Sequence, residues 1–473
     1  MGSQLKSLAI LIWGVVVLVY ACILMHMRAY GNNMEVVYTC VISSLTILIV
    51  QVAWVYKNSH NIITPSTLFL GLYYLFQNGQ LLLLALQVDF FDFYVNTLSH
   101  HTTNVAVFSS ISNVIAGYTY IICNATSTSH AVKQSKIDFL NSIDVSRSAV
   151  RGFIVTSLVA IPLVLLKGRV ALRGGYAAVR VYEENIPFIV NFIEYLFVPF
   201  ALLSLVYTKG EKRRMIEILT IIWLLITAFC GDRTTGLSGI LVVALINFKT
   251  ANQHSFKIKK YITFGMVAVI LMFLVRIAFV ARHQGSVNDM ADEMQNPIVS
   301  FLTELGFSAY PLFVVMDVAP QSEEFLYGTG YIASFVSGIF PSSLDPTGVI
   351  HNLVQYRNLP QVWIDKYFNY DFGLGFSLNA EAYANFGWFG LLPLFFVNYA
   401  VFYFLERTDH AGKHSRFALY SSCVLLFLWC TLPRRDTYYI WKALIYSIVL
   451  IRWYLLSTCR KLNTRDKEQF AYI

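Results

Sequence analysis

Runs of roughly 18 or more apolar residues recur from one end of this chain to the other, and nothing else in it limits the fold so sharply. Inside a bilayer no water competes for the backbone, so every N–H and C=O must find its partner within the chain, and a helix does this with local bonds alone. About 20 residues of helix cross the hydrocarbon layer. Twelve such spans fit, near 7–26, 37–56, 66–87, 103–123, 150–167, 187–207, 215–230, 234–249, 261–281, 376–405, 417–432 and 438–458. Composition agrees: of 473 residues 56% are hydrophobic and only 13% charged, where a soluble domain carries about a quarter. The expected fold is an all-α, polytopic integral membrane protein, a single membrane domain over 1–473, without internal repeats or linkers.

Alternating the loops between two sides separates the basic residues. One side collects Lys6, Lys57, Lys133, Lys136, Arg147, the run Lys209-Gly210-Glu211-Lys212-Arg213-Arg214, Lys249, Lys257, Lys259 and Lys260. It also takes Arg407, Lys413, Arg416 and the tail with Arg460, Lys461, Arg465 and Lys467. By the positive-inside rule this side is cytoplasmic and holds both termini. The net charge of +8 reflects that bias, and no nucleic-acid partner is expected. The first apolar run follows Lys6 but lacks a small-x-small cleavage site, so it reads as an uncleaved span. All seven cysteines fall within or at the ends of apolar runs, which argues for packing rather than a disulfide or metal framework.

The opposite side keeps one large loop, 282–375, and nearly all its basic residues are arginine. Positive charge works against topology there, so a ligand must favour it. Arginine's planar fork binds phosphate bidentately and stays charged at any working pH, which points to an anionic ligand. Arg169, Arg173 and Arg180 stand four and seven apart, on one face if the segment is helical, while Gly174-Gly175 could instead break it. The competing reading is an interfacial segment meeting lipid headgroups. Arg233 in Gly231-Asp232-Arg233 either binds a ligand or pairs with Asp232. Arg276, inside a span, either snorkels or faces a hydrated cavity. Arg282 ends that span, and Arg434-Arg435 sit in a short outer turn beside Asp436.

His283, Asp345, His351, Asp365 and Asp371 are the acid–base groups of the long loop. Glu381 differs from them. It opens an apolar helix, where a carboxylate is costly unless paired or hydrated; it orients an arginine, takes a proton, or stabilises the helix N-terminus. Gly387 and Gly390 permit close packing. No Walker loop, HExxH or GxGxxG fingerprint is present, so neither ATP hydrolysis nor zinc or dinucleotide chemistry is supported.

Gly231-Asp232-Arg233, the Arg173-Gly174-Gly175-Tyr176 loop, and Asn379-Ala380-Glu381-Ala382-Tyr383 with Asn385-Phe386-Gly387 and Gly390 resemble the Wzy-type O-antigen polymerases of bacterial inner membranes. The architecture of about twelve spans with one large late outer loop extends the resemblance over nearly the whole chain. It implies transfer of a growing glycan from undecaprenyl diphosphate to the next undecaprenyl-diphosphate-linked repeat unit, on the periplasmic face of the inner membrane. Lipid-linked oligosaccharide would be both donor and acceptor, with membrane lipid around it and a chain-length regulator protein as partner. No cofactor and no metal are expected: the first outer loop carries Glu35 alone, and preorganised arginines can stabilise the departing diphosphate. The expected diphosphate-binding set is Arg169, Arg173, Arg180, Arg233, Arg276, Arg282, Arg434 and Arg435; the expected base is Glu381 or His351. The rivals are an O-antigen ligase, which takes the same donor, and a lipid-linked oligosaccharide flippase, which should show two similar halves and charge along a central path.

Overall fold

The computed structural model describes residues 3–59, 61–88, 99–127, 143–250, 296–340 and 376–458, with scattered positions between 349 and 367. Every regular element among them is helical. In chain order these are α1 (Ser3–Met27), α2 (Met34–Ser59), α3 (Pro65–Ala85), α4 (Thr102–Ser127), α5 (Ile143–Glu184), α6 (Phe188–Tyr207), α7 (Gly210–Phe229) and α8 (Arg233–Thr250). Then follow α9 (Pro297–Gly306), α10 (Tyr310–Val318), α11 (Thr329–Ile339), α12 (Leu378–Phe386), α13 (Leu391–Gly412) and α14 (Arg416–Trp429). The last, α15 (Tyr438–Thr458), is π-helical over Ala443–Val449.

Ten helical stretches are long and apolar enough to cross a membrane. Nine coincide with expected spans. The tenth, Ile298–Val318, lies inside the stretch read from sequence as outer loop. The expected span 215–230 is present as α7, but its first two turns hold Glu211, Lys212, Arg213, Arg214 and Glu217; α8 is apolar but short. The expected span 261–281 lies outside the described residues.

The chain forms two compact units. The first comprises Met1–Ala131, Ile298–Arg407 and Trp429–Trp441. Local chemistry starts its helices cleanly: before α3, Thr64 takes the N-cap position, accepts from Thr67 N at 3.1 Å, and Pro65 follows with its φ already helical. Helix α4 is the most enclosed of the candidate spans. A β-carbon on its Gly117 would strike Gln51 of α2, whose Nε2 donates to Val114 O at 3.2 Å. Small residues let membrane helices approach this closely. Tyrosine hydroxyls find carbonyls, as Tyr74 does on Val41 (3.0 Å) and Tyr20 on Cys40 (3.2 Å).

The second unit comprises Val132–Pro297, Thr408–Leu428 and Lys442–Ile473. Trp223 donates to Ala160 O, Tyr420 to Ser447 O and Tyr454 to Ser148 O, and Lys249 pairs with Asp409. Lys167 holds both Glu183 and Glu194, each at 2.9 Å. Sixteen residues of straight helix would separate Lys167 from Glu183 by about 24 Å, beyond their combined reach. The stretch of α5 between Lys167 and Glu183 is therefore not straight.

Candidate functional site

Helix α12 is a half-helix, and its depth follows from what its first residues touch. Ser377 is extended, and its hydroxyl accepts from Ala380 N at 3.2 Å, a serine N-cap. Asn379 Oδ1 accepts from Tyr73 Oη (3.0 Å) and Ser112 Oγ (2.9 Å). Tyr73 lies eight residues into α3 and Ser112 ten residues into α4. At 1.5 Å per residue these partners sit about 12–15 Å from their helix ends, near the middle of a layer about 30 Å thick. The helix thus begins at mid-depth. Its other end reaches Trp388, which faces Phe108 and lies under the Arg28 guanidinium at 4.2 Å.

There the chain reverses. Gly387 takes φ +57°, a region that favours glycine, and a β-carbon on Gly390 would lie 2.2 Å from Ala382 O. Helix α13 then runs back past Tyr120, which stacks on Phe402, to Glu406, which accepts from Asn124 at 2.9 Å.

Glu381, in the first turn of α12, is 3% exposed. Its Oε1 accepts from Ser334 Oγ of α11 (3.1 Å) and Thr437 Oγ1 (2.8 Å); its Oε2 accepts from Thr437 N (2.8 Å). Burying an ionised carboxylate costs several kcal/mol, and the three donors offset part of that cost. No lysine or arginine pairs with it among the described residues. Oε2 keeps room for a further donor. The carboxylate is held in one orientation, shielded from bulk water, and able to accept a proton.

Thr437 ends the turn 431–437, which Gln77 anchors to α3 by donating to Pro433 O at 2.7 Å. Asp436 pairs with Arg357, whose guanidinium lies 3.8 Å over the Tyr438 ring. Burial disfavours the Arg357 charge, but the adjacent Asp436 more than offsets it and raises the arginine pKa. Arg435 lies 4.2 Å over the Tyr439 ring, and Arg434 precedes it in the same turn. Asn385 donates to Glu381 O (2.8 Å) and accepts from Gly330 N (3.2 Å), while Leu326 N and Tyr327 N donate to Ala384 O and Asn385 O. The half-helix is therefore tied to α3, α4, α11 and the 431–437 turn at once.

Of the residues singled out from sequence, Glu381, Arg434 and Arg435 lie in the first unit, the two arginines in the turn whose Thr437 binds Glu381. Arg169 and Arg173 are exposed on α5 of the second unit; Arg180 on α5 and Arg233 at the start of α8 are described by backbone position only. Arg276, Arg282, His283, Asp345, His351, Asp365 and Asp371 lie outside the described residues. Sequence reasoning missed Ser334, Thr437, Asn379 and the Asp436–Arg357 pair. One signal for them exists, the polar run Ser109-Ser110-Ile111-Ser112-Asn113 within an apolar helix, all buried. It also missed His100, His101 and Asp317, which converge at the ends of α4 and α10.

A family model described as O-antigen polysaccharide polymerase Wzy matches residues 9–465. Neither the curated proteins nor the solved structures contain a match.

Proposed function

The chain belongs to the O-antigen polysaccharide polymerase Wzy family, and from that premise we propose that Glu381 is the base of a polymerisation between two lipid-linked oligosaccharides. The acceptor is the next undecaprenyl-diphosphate-linked repeat unit. One of its sugar hydroxyls gives its proton to Glu381 as its oxygen attacks the anomeric carbon of the donor chain. The bond from that carbon to the phosphate oxygen breaks, and undecaprenyl diphosphate leaves with the electron pair. Arg434 and Arg435, in the turn that binds Glu381, receive the charge that develops on the diphosphate. The other outer arginines, Arg169, Arg173, Arg180, Arg233, Arg276 and Arg282, draw the anionic lipid to this face. With guanidinium groups in that role the reaction needs no metal ion. The site faces the periplasm from the inner membrane, and a chain-length regulator meets the protein there.

The observation that carries this reading is a fully enclosed carboxylate held by three donors at mid-depth. The test is the surface polysaccharide profile of cells lacking the protein, complemented with wild type or with Glu381→Gln. Lipid A-core bearing a single repeat unit, restored to long chains by wild type and not by Glu381→Gln, is the expected result. Undecaprenyl-linked chains trapped without transfer to the core would instead make the protein a ligase, and repeats that never reach the periplasm would make it a flippase.

A further inference from the structure

Three side chains meet at the ends of α4 and α10 that the polymerisation chemistry does not use. His100 Nε2 and His101 Nε2 approach the same oxygen, Asp317 Oδ1, at 3.0 and 3.2 Å. The two rings lie 4.2 Å apart between centroids, and one ligand atom from each residue falls within 4.8 Å of the others. The histidines are consecutive in a single 3-10 turn, Ser99–His101, so one short backbone segment aims both imidazoles at one carboxylate. The side chain of His101 is 12% exposed, that of Asp317 34% and that of His100 61%.

Two imidazole nitrogens and one carboxylate oxygen form a donor set for a borderline divalent transition ion, not for magnesium or calcium, which prefer all-oxygen shells. Zinc bonds of about 2.0–2.2 Å put neighbouring ligand atoms of one shell about 3.0–3.5 Å apart, the range in which both nitrogens already stand from Asp317 Oδ1. The remaining adjustment falls on the His100 ring, the most exposed of the three side chains. Two neutral imidazoles and one carboxylate would reduce the charge of such an ion to a single unit, with solvent completing its shell.

We propose that His100, His101 and Asp317 bind one divalent transition-metal ion of the zinc class, which clasps the segment before α4 to the end of α10. The site stands apart from Glu381 and does not depend on the reading of that residue as a base. Because α10 packs against α12, occupancy stabilises the half-helix without the metal taking part in bond making.

The test uses the full chain in nanodiscs, purified without a polyhistidine tag, stripped with chelator and titrated with Co²⁺. One equivalent should bind with the visible absorption bands of a low-coordinate nitrogen–oxygen site, and Zn²⁺ should displace it. His100→Gln, on an exposed side chain, and Asp317→Asn should each weaken Co²⁺ binding at least tenfold, and Zn²⁺ should raise the melting temperature of wild type but not of either variant. Absence of saturable one-to-one binding, or binding undiminished in His100→Gln, would overturn the proposal and leave a hydrogen-bonded clasp. His100→Gln decides the matter even if Asp317→Asn fails to fold.

Discussion

Glu381 is surrounded by donors that water does not dilute, so each hydrogen bond counts for more than at the surface. Replacing it with glutamine preserves size and shape but places an amide where three donors point. Polymerisation by Glu381→Gln in nanodiscs should fall by about 10²–10⁴-fold, read from chain length on a gel. Its thermal unfolding in detergent should reveal a loss of about 1–3 kcal/mol as well, since at least one buried donor is left unmatched. Thr437→Val removes only the hydroxyl and leaves the backbone N–H in place. That variant should lose about 1 kcal/mol and retain partial polymerisation under the same assay. The carboxylate itself was legible in the sequence, because an acid opening an apolar helix demands an explanation. Its partners were not, since Ser334 and Thr437 stand 47 and 56 residues away and nothing local marks either. Asp436 was read as a neighbour for Arg434 and Arg435, whereas its ion pair is with Arg357.

At the scale of elements, α12 works as a rivet between α3 and α4, with Asn379 as its head. Asn379→Leu would leave the hydroxyls of Tyr73 and Ser112 only each other, at 3.1 Å, in a dry interior. At least one buried O–H then loses its acceptor, and about 1–3 kcal/mol of stability should disappear, measured by thermal unfolding in detergent. Gly390→Leu attacks the reversal itself: a side chain cannot occupy space 2.2 Å from Ala382 O, so fluorescence-detected size exclusion should find little folded protein. Sequence periodicity foresaw a helix over 376–405 but not its interruption at Gly387–Gly390, where backbone sterics override an apolar pattern that continues on both sides. Ile298–Val318 escaped notice for the opposite reason. Glu304, Pro311 and Asp317 interrupt its apolar run, yet Gly306 lets the helix meet α3 at Gly79, where a β-carbon would lie 2.1 Å from Gln80 N.

For the whole molecule the distribution of lysine and arginine makes a direct prediction about sidedness. In a variant stripped of its seven cysteines, a thiol placed at the exposed Glu324 should react with membrane-impermeant maleimide in intact spheroplasts. One at Lys212 should react only after lysis. The reverse pattern would invert the topology and, with it, the assignment of the arginine-bearing turns to the periplasm. Membrane class and most spans were readable because hydrophobicity is summed over twenty residues at a time; the arrangement of helices within each unit was not, because it rests on single side chains far apart in the chain.

The pairing of Glu381 with Thr437 also sets an order in time. Thr437 leaves the ribosome 56 residues after Glu381, an interval of roughly 3–11 s at ordinary rates of synthesis. During it the nascent chain carries an acid whose two closest donors do not yet exist. On the proposed mechanism Glu381 is fully held only once the turn bearing Thr437 has been made and inserted, and a half-made polymerase stays silent.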